Sequence, residues 1–301
     1  MTSANRYTYT AYGLRFESAI PLPELRPAAP GEPDVTIGYG EVPQSLPLPS
    51  ASGVAWQSGP GQMLLSVVDV ARYLVVENRE IRVQPLPGST AADVRAFLFG
   101  SVLGAVLHAQ RMLVLHASVL HTERGAVLFM GRSGAGKSTL LAAFLQRGYR
   151  MLADDKAGIT LNADGVPQAL PGLPFIRLAA DAVAALQYPV HDSHRRRGLD
   201  KYVIPVEQFH TTPLVVRGAY SLNAHNGTDI RLERLHTLDR FQALNRDVYR
   251  RRFMHHAEQR RAHFRILGAV SNHASVARVL RPGHPYVIDQ LRECIEEDLA
   301  R

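Results

Sequence analysis

Sulfur is scarce in this chain of 301 residues: it has one cysteine, Cys294, and six methionines. A lone cysteine excludes an intramolecular disulfide framework and a cysteine-based metal cluster, and it fits a reducing cytoplasm. Long apolar runs are missing too. The opening Met1-Thr2-Ser3-Ala4-Asn5-Arg6-Tyr7 lacks the apolar centre of a signal peptide. The stretches near Phe97–Leu107 and Met112–Leu120 are interrupted and too short to span a bilayer. A soluble cytoplasmic protein with no membrane partner is therefore expected. The single tryptophan, Trp56, reads as a packing residue. No internal repeat and no low-complexity segment is found. No RNA-binding motif or DNA-reading module accompanies the basic residues, which argues against a nucleic-acid partner.

What is present is a sizeable apolar fraction, 46%, enough for a real core, and a net charge of +7. A basic chain attracts anionic partners, including phosphorylated or acidic substrates. The positive charge is uneven. Arg195-Arg196-Arg197 forms one knot, and Arg246, Arg250-Arg251-Arg252, Arg260, Arg261 and Arg265 form a longer C-terminal run. The plain reading of that run is a solvated helical face.

Residues 1–90 read as short strands cut by proline- and glycine-rich turns, an antiparallel N-terminal layer with no catalytic constellation in it. From Thr90 to Gln110 the apolar period becomes helical, with Val94, Phe97, Leu98, Val102, Leu103 and Val106 on one broad face. A core over 91–235 follows, with strands expected at Met112–Val119, Ala126–Met130, Arg150–Ala153, Ala157–Asn162, Tyr202–Pro205, Pro213–Leu222 and Ile230–Leu235. A short helix is expected near Ala179–Leu186, and the polar stretch Tyr188–Asp200 reads as a mobile loop. Residues 236–301 read as a mostly helical C-terminal region. The overall expectation is an α/β, or α+β, protein.

Within the core, Gly131-Arg132-Ser133-Gly134-Ala135-Gly136-Lys137-Ser138 fits G-x-x-x-x-G-K-[ST]. An apolar run, Ala126–Met130, precedes it, and Thr139-Leu140-Leu141-Ala142 begins a helix after it. Strand, glycine-rich turn and helix are the context this motif requires. Glycines let successive N–H groups curl inward onto phosphate oxygens, and the helix N-terminus adds positive potential there. Gly131 to Thr139 are thus the candidate nucleotide-phosphate ligands. Lys137 would reach the β- and γ-phosphates, and the Ser138 hydroxyl would ligate Mg²⁺.

Such a loop needs an acid to complete the metal site. Asp154-Asp155 ends the strand Arg150-Met151-Leu152-Ala153, and strand ends open onto the ligand crevice in α/β folds. One carboxylate can hold the metal while the other accepts a proton from the attacking hydroxyl, so Ser138, Asp154 and Asp155 are the candidate metal ligands. His116 sits in another apolar strand entering the same core. As one of 13 histidines it signals nothing alone.

Taken together, Leu115-His116-Ala117-Ser118, Gly131–Ser138 and Arg147-Gly148-Tyr149-Arg150-Met151-Leu152-Ala153-Asp154-Asp155 resemble the nucleotide core of bacterial HPr kinase/phosphorylase. His116 and Lys137 are 21 positions apart, and Lys137 and Asp155 are 18 apart, spacings similar to the family's. The resemblance covers roughly Leu113–Asn162. It implies the phosphoenolpyruvate-carboxykinase-like version of a P-loop kinase fold. It also implies acid–base roles for His116 and Asp155, phosphate binding by Lys137, and metal binding by Ser138 with Asp154 in support. One departure stands out. Where the bifunctional family has Glu-Ile-Arg-Gly, this chain has Phe175-Ile176-Arg177-Leu178, keeping the arginine and losing the metal-binding glutamate. Set against the resemblance, this departure leads to the expectation of a kinase-only enzyme, with phosphorolysis left open. Arg177-Leu178 and a pair such as Lys201-Tyr202 recur in shorter HPr-kinase-like proteins, some of which phosphorylate lasso-peptide precursors.

The resulting expectation is an ATP- and Mg²⁺-dependent kinase acting on a serine hydroxyl in a peptide or small protein, with a lasso-peptide precursor as the substrate suggested by the resemblance. Asp155 assisted by His116 would take the proton, and Arg177 and Lys201 would add positive charge over the transferring phosphoryl group. Arg195–Arg197 would clamp phosphate or an acidic peptide. The competing expectations are a kinase of a small-molecule hydroxyl and a nucleotide-binding regulator with little catalysis. The oligomeric state is left open, a homo-oligomer included.

Overall fold

The computed structural model describes residues 6–191, 201–254, 257–283 and 287–301. Arg195–Arg197 and positions 192–200 of the expected mobile loop lie outside the described residues. The chain divides into two compact units, one formed by residues 1–112 and 250–263, the other by residues 113–249 and 264–301. The helical stretch 91–109 therefore groups with the N-terminal strands. The C-terminal segment is shared between the units, with helix Ala257–His273 contributing to both. The three consecutive blocks expected from the sequence give way to this discontinuous division.

In the first unit eight strands form one sheet. Its order is Tyr7–Ala11, Leu14–Ser18, Val35–Tyr39, Glu80–Pro85, Ala71–Val76, Gln62–Val67, Trp56–Gly59, Ala51–Gly53. Alternation carries the burial: in Val35–Tyr39 the inward residues are Val35 and Ile37, and in Glu80–Pro85 they are Ile81 and Val83. The layer is not wholly antiparallel. Val35–Tyr39 runs parallel to both Leu14–Ser18 and Glu80–Pro85. The proline-rich segment 19–34 supplies the long crossover that parallel neighbours need.

The helix after this sheet starts at a capping box. The Thr90 hydroxyl accepts from the Asp93 N–H, and the Asp93 carboxylate accepts from the Thr90 N–H. A π-helical turn at Leu98–Val102 joins Ala91–Phe97 to Leu103–Ala109 without a break. The continuous 19-residue helix, Ala91–Ala109, fills the helical stretch expected over Thr90–Gln110. By length and composition alone it could cross a bilayer, but 61% of its most apolar window is buried inside the protein, as in a core helix.

The second unit is mixed α/β. Four neighbouring strands run in the order Arg150–Ala153, Ala117–Thr122, Gly125–Met130, Leu214–His225. The long last strand then pairs along one part with Pro167–Ala169 and along another with Ser275–Pro282. Residues of Gly125–Met130 alternate between two cores. Ala126, Leu128 and Met130 pack with Leu244, Leu267 and Val270 on one face, while Val127 and Phe129 pack with Leu140, Leu141 and Phe144 on the other. A strand buried on both faces reads as an unbroken apolar run, which is why this one was visible in the sequence.

Besides the short strand Pro167–Ala169, three elements depart from expectation. The strand foreseen over Met112–Val119 is two strands, Leu113–Leu115 and Ala117–Thr122, broken at His116. Phe175–Ala179 is a strand paired with Lys201–Pro205. Within the expected helical C-terminal region, Ser275–Pro282 is a strand in the middle of sheet pairing, parallel to Leu214–His225 and antiparallel to Arg231–Arg234. Arg278 and Arg281 interrupt its apolar pattern, so its partners and not its own period define it.

Candidate functional site

Topology gathers the sequence-marked residues at one edge of the sheet. Gly125–Met130 and Leu214–His225 run parallel, so their C-terminal ends lie together. Ala117–Thr122 is antiparallel to Gly125–Met130, with Ala117 opposite Met130, so its N-terminal end with His116 falls at that edge. Arg150–Ala153 is antiparallel in turn to Ala117–Thr122, which brings Asp154 and Asp155 to the same side.

The loop itself is shaped by glycine. Gly131, Gly134 and Gly136 all have positive φ, at 139°, 82° and 92°. At Gly131 a Cβ would lie 2.7 Å from the Leu222 carbonyl oxygen, so only glycine allows the neighbouring strand this close. Arg132, Ser133 and Gly134 are exposed, Ala135, Gly136 and Ser138 half-buried, and Lys137 and Thr139 buried. Lys137 begins the helix Lys137–Leu145 and donates through Nζ to the carbonyls of Gly131 (2.9 Å) and Arg132 (3.1 Å). Burial pushes its pKa down, an effect opposed by Asp154, Asp247 and Asp155 and reinforced by Lys201.

The two aspartates divide sharply. Asp154 Oδ1 accepts from Ser118 Oγ at 2.6 Å and from Ser138 Oγ at 2.9 Å, and Oδ2 accepts from the Arg177 backbone N–H at 3.0 Å. Asp155 instead meets cations. Its Oδ2 accepts from the Lys156 ammonium and from Arg177 Nη1 at 3.2 Å, while Oδ1 lies 3.6 Å from His116 Nδ1. Burial alone would raise the Asp155 pKa, but Lys156, Arg177 and His116 outweigh it and hold the carboxyl far below the usual range. Asp155 has a left-handed backbone, φ 66°. That kink lets consecutive side chains, Asp155 and Lys156, face each other; along an extended strand they would point apart.

His116 occupies the break between its two strands. Its N–H donates to the Asp247 carbonyl at 2.7 Å, and its Nδ1 lies 3.0 Å from the Asp155 carbonyl oxygen. A carbonyl only accepts, so the proton sits on Nδ1 and Nε2 is the lone-pair nitrogen. Burial first, and Lys137 second, lower its pKa, with Asp155 opposing. The ring is neutral at pH 7.

Arg177 and Lys201 share a ribbon. Arg177 pairs with Val203 and Ala179 with Lys201, so all four lie on one face, while Ile176, Leu178 and Ile204 enter the core from the other. Lys201 is exposed.

Five further residues join the site. Ser118 ends the segment Leu115–Ser118, and Lys156 directly follows the aspartate pair, so both signals were readable. Lys156 is fully buried, with its ammonium 4.9 Å from the Tyr249 ring centroid. Arg246, Asp247 and Arg281 had no local signal. Arg246 belongs to the run read as a helical face, yet its Nη2 donates to Ser221 Oγ at 2.7 Å. Arg281 Nη2 donates to the Ala135 carbonyl of the loop at 2.9 Å.

Among the described residues no group of three His, Cys, Asp or Glu converges as a metal cluster. The protein oxygens suited to a hard cation are the Ser138 hydroxyl and Asp154 Oδ1, already in contact. Asp155, matched by cations, does not share that contact.

No protein-family model matches the chain, and no curated protein matches it. Among solved structures, the Hpr(Ser) kinase/phosphatase from Coxiella burnetii is similar at 14% identity and a TM-score of 0.33, over 62% of this chain and 90% of that one. A likeness of that size carries no weight for activity.

Proposed function

We propose that this protein is a phosphotransferase that moves the γ-phosphoryl group of ATP to a hydroxyl, with a P-loop kinase core in its second unit. The observation that carries the proposal is the convergence, at the C-terminal edge of one sheet, of a glycine loop with Lys137, an oxygen pair Ser138–Asp154, and a separate group His116–Asp155–Arg177. A phosphate-binding loop alone would serve a nucleotide sensor. A second cluster of proton acceptors beside it is what transfer to a hydroxyl requires.

In this reading the loop amides and Lys137 bind the triphosphate, Lys137 exchanging its two loop carbonyls for phosphate oxygens. Ser138 and Asp154 would hold Mg²⁺, which when bound neutralises charge on the β- and γ-oxygens. Arg177 and Lys201 place positive charge over the phosphoryl group. The ionised Asp155 carboxylate and the Nε2 of neutral His116 are the proton acceptors available to the incoming hydroxyl. A serine hydroxyl of a peptide or small protein is the proposed acceptor, a lasso-peptide precursor being the candidate that the sequence resemblance supplies.

The test is incubation with ATP and Mg²⁺ against serine-bearing peptides and small hydroxyl compounds, with phosphate addition followed by mass spectrometry. Lys137→Ala should abolish transfer and weaken nucleotide binding. Nucleotide binding that alters no acceptor would replace the kinase with a regulator. Transfer that survives Lys137→Ala unchanged would overturn the assignment.

A further inference from the structure

The sheet edge carries more positive charge than the nucleotide chemistry uses. Lys137, Lys156, Arg177 and Lys201 stand at or beside the loop, with Arg281 on its Ala135 carbonyl and Arg246 one strand away. Three carboxylates oppose these six cations: Asp154, Asp155 and Asp247. ATP with one Mg²⁺ brings about two net negative charges. A positive surplus is left after the donor binds.

Arg246, unlike Lys137, Arg177 and Lys201, has no task in the transfer. It ends the helix Thr237–Arg246, whose Ala243 and Leu244 pack on the sheet face opposite the loop's helix. Its guanidinium therefore reaches the edge from the other side. Ser221, to which it donates, lies opposite Met130, the residue before Gly131. Next in the chain, Asp247 supplies the carbonyl that accepts from the His116 N–H and a carboxylate that raises the Lys137 pKa. Arg246 is thus set beside both halves of the proposed centre.

The anchoring is of a kind that orients without consuming. Ser221 is 1% exposed and is also held by the Asn223 amide at 3.2 Å. Asp247 is buried and takes Nη2 at 3.3 Å. Among the described residues both bonds of Arg246 leave from Nη2, so its Nε and Nη1 donors are uncommitted while 46% of the side chain is exposed. A fixed, half-exposed guanidinium with unspent donors suits a carboxylate or phosphate oxygen pair.

Resting on the phosphotransferase reading, we infer that Arg246 is a specificity residue that binds an anionic group of the acceptor, so that the accepted hydroxyl compounds carry a carboxylate or phosphate near the reacting oxygen. The same anchor explains why a helix on the far face ends in an arginine at this edge.

The experiment uses the full chain saturated with a non-hydrolysable ATP analogue and Mg²⁺, which fills the loop, and then titrates acetate and inorganic phosphate separately by ligand-observed NMR. Both anions should bind the wild type. Arg246→Gln should weaken them by on the order of tenfold or more, with analogue affinity unchanged. Acetate alone binding would assign the site to carboxylates, phosphate alone to phosphorylated acceptors. Arg265→Gln, remote in sequence, serves as a charge control and should change neither. No anion binding to the analogue-loaded wild type, or equal binding by Arg246→Gln, overturns the inference. A loss of analogue affinity in Arg246→Gln also overturns it, since Arg246 would then serve the donor. Failure of the analogue to bind wild type refutes the phosphotransferase reading itself and is read out separately.

Discussion

Acid should loosen the first unit through one histidine. His263, on helix Ala257–His273, is 6% exposed, and among the described residues neither ring nitrogen has a hydrogen-bond partner. Burial, then the charges of His108 and Arg251, push its pKa from 6.5 down to about 4. The folded protein therefore keeps the ring neutral where the unfolded chain protonates it. Stability is full above pH 6.5 and falls as the pH drops from there toward 4, after which this group adds nothing further. A difference of roughly 2.5 units corresponds to about 3 kcal/mol, lost at close to 1.4 kcal/mol per pH unit within the window. The assay is urea unfolding at pH 7.5, 5.5 and 4.5, followed by the fluorescence of Trp56. That single tryptophan belongs to the same unit and packs edge-on against Phe253 at 5.7 Å. His263→Leu removes the titration and two orphaned nitrogens, so its midpoint should match or exceed the wild type at pH 7.5 and fall less steeply below 6.5. Parallel pH dependence in the two proteins would refute the reasoning, because other histidines would then carry the whole effect.

Three further outcomes follow from the second unit. Gly131→Ala forces a Cβ to within 2.7 Å of the Leu222 carbonyl at a φ of 139°, so it should cost about 1–3 kcal/mol or more in denaturant unfolding and lower nucleotide affinity with it. Phe144→Ala, at a wholly buried ring stacked on Phe129 at 5.4 Å, should destabilise by about 3–5 kcal/mol, measured the same way. Asp154→Asn should reduce the Mg²⁺-dependent part of nucleotide binding by on the order of tenfold or more and leave metal-free binding nearly unchanged; equal affinities with Mg²⁺ would remove Asp154 from the metal's shell.

The parts of the site that were legible in advance are those carried by contiguous residues. Gly131–Ser138 declares its own backbone geometry, because Gly131, Gly134 and Gly136 occupy the positive-φ positions that a phosphate loop needs. Asp154-Asp155 was readable as a pair at a strand end with divided roles expected, but not the contacts that produce the split. That split depends on the left-handed turn at Asp155, on Ser118 from one strand and on the Arg177 backbone from another. Ser275–Pro282 went unread because its arginines mask an apolar pattern that only two neighbouring strands complete. The break at His116 was equally hidden, since a run of buried residues on both sides of it gives no sign that the ladder stops there.

By itself the sequence determined the local structure and side-chain chemistry: a glycine-rich loop between an apolar strand and a buried helix, two adjacent carboxylates, and a chain with too little cysteine for covalent or thiolate scaffolding. These follow from short-range sterics and from side-chain type, which neighbours along the chain suffice to define. Only the tertiary structure decided which charges meet. Strand order brought His116, Asp155 and Arg177 together across 61 residues of sequence. A helix on the opposite face delivered Arg246 and Asp247 to the same edge. Electrostatic pairing depends on distance in space, and the folded sheet alone sets that distance.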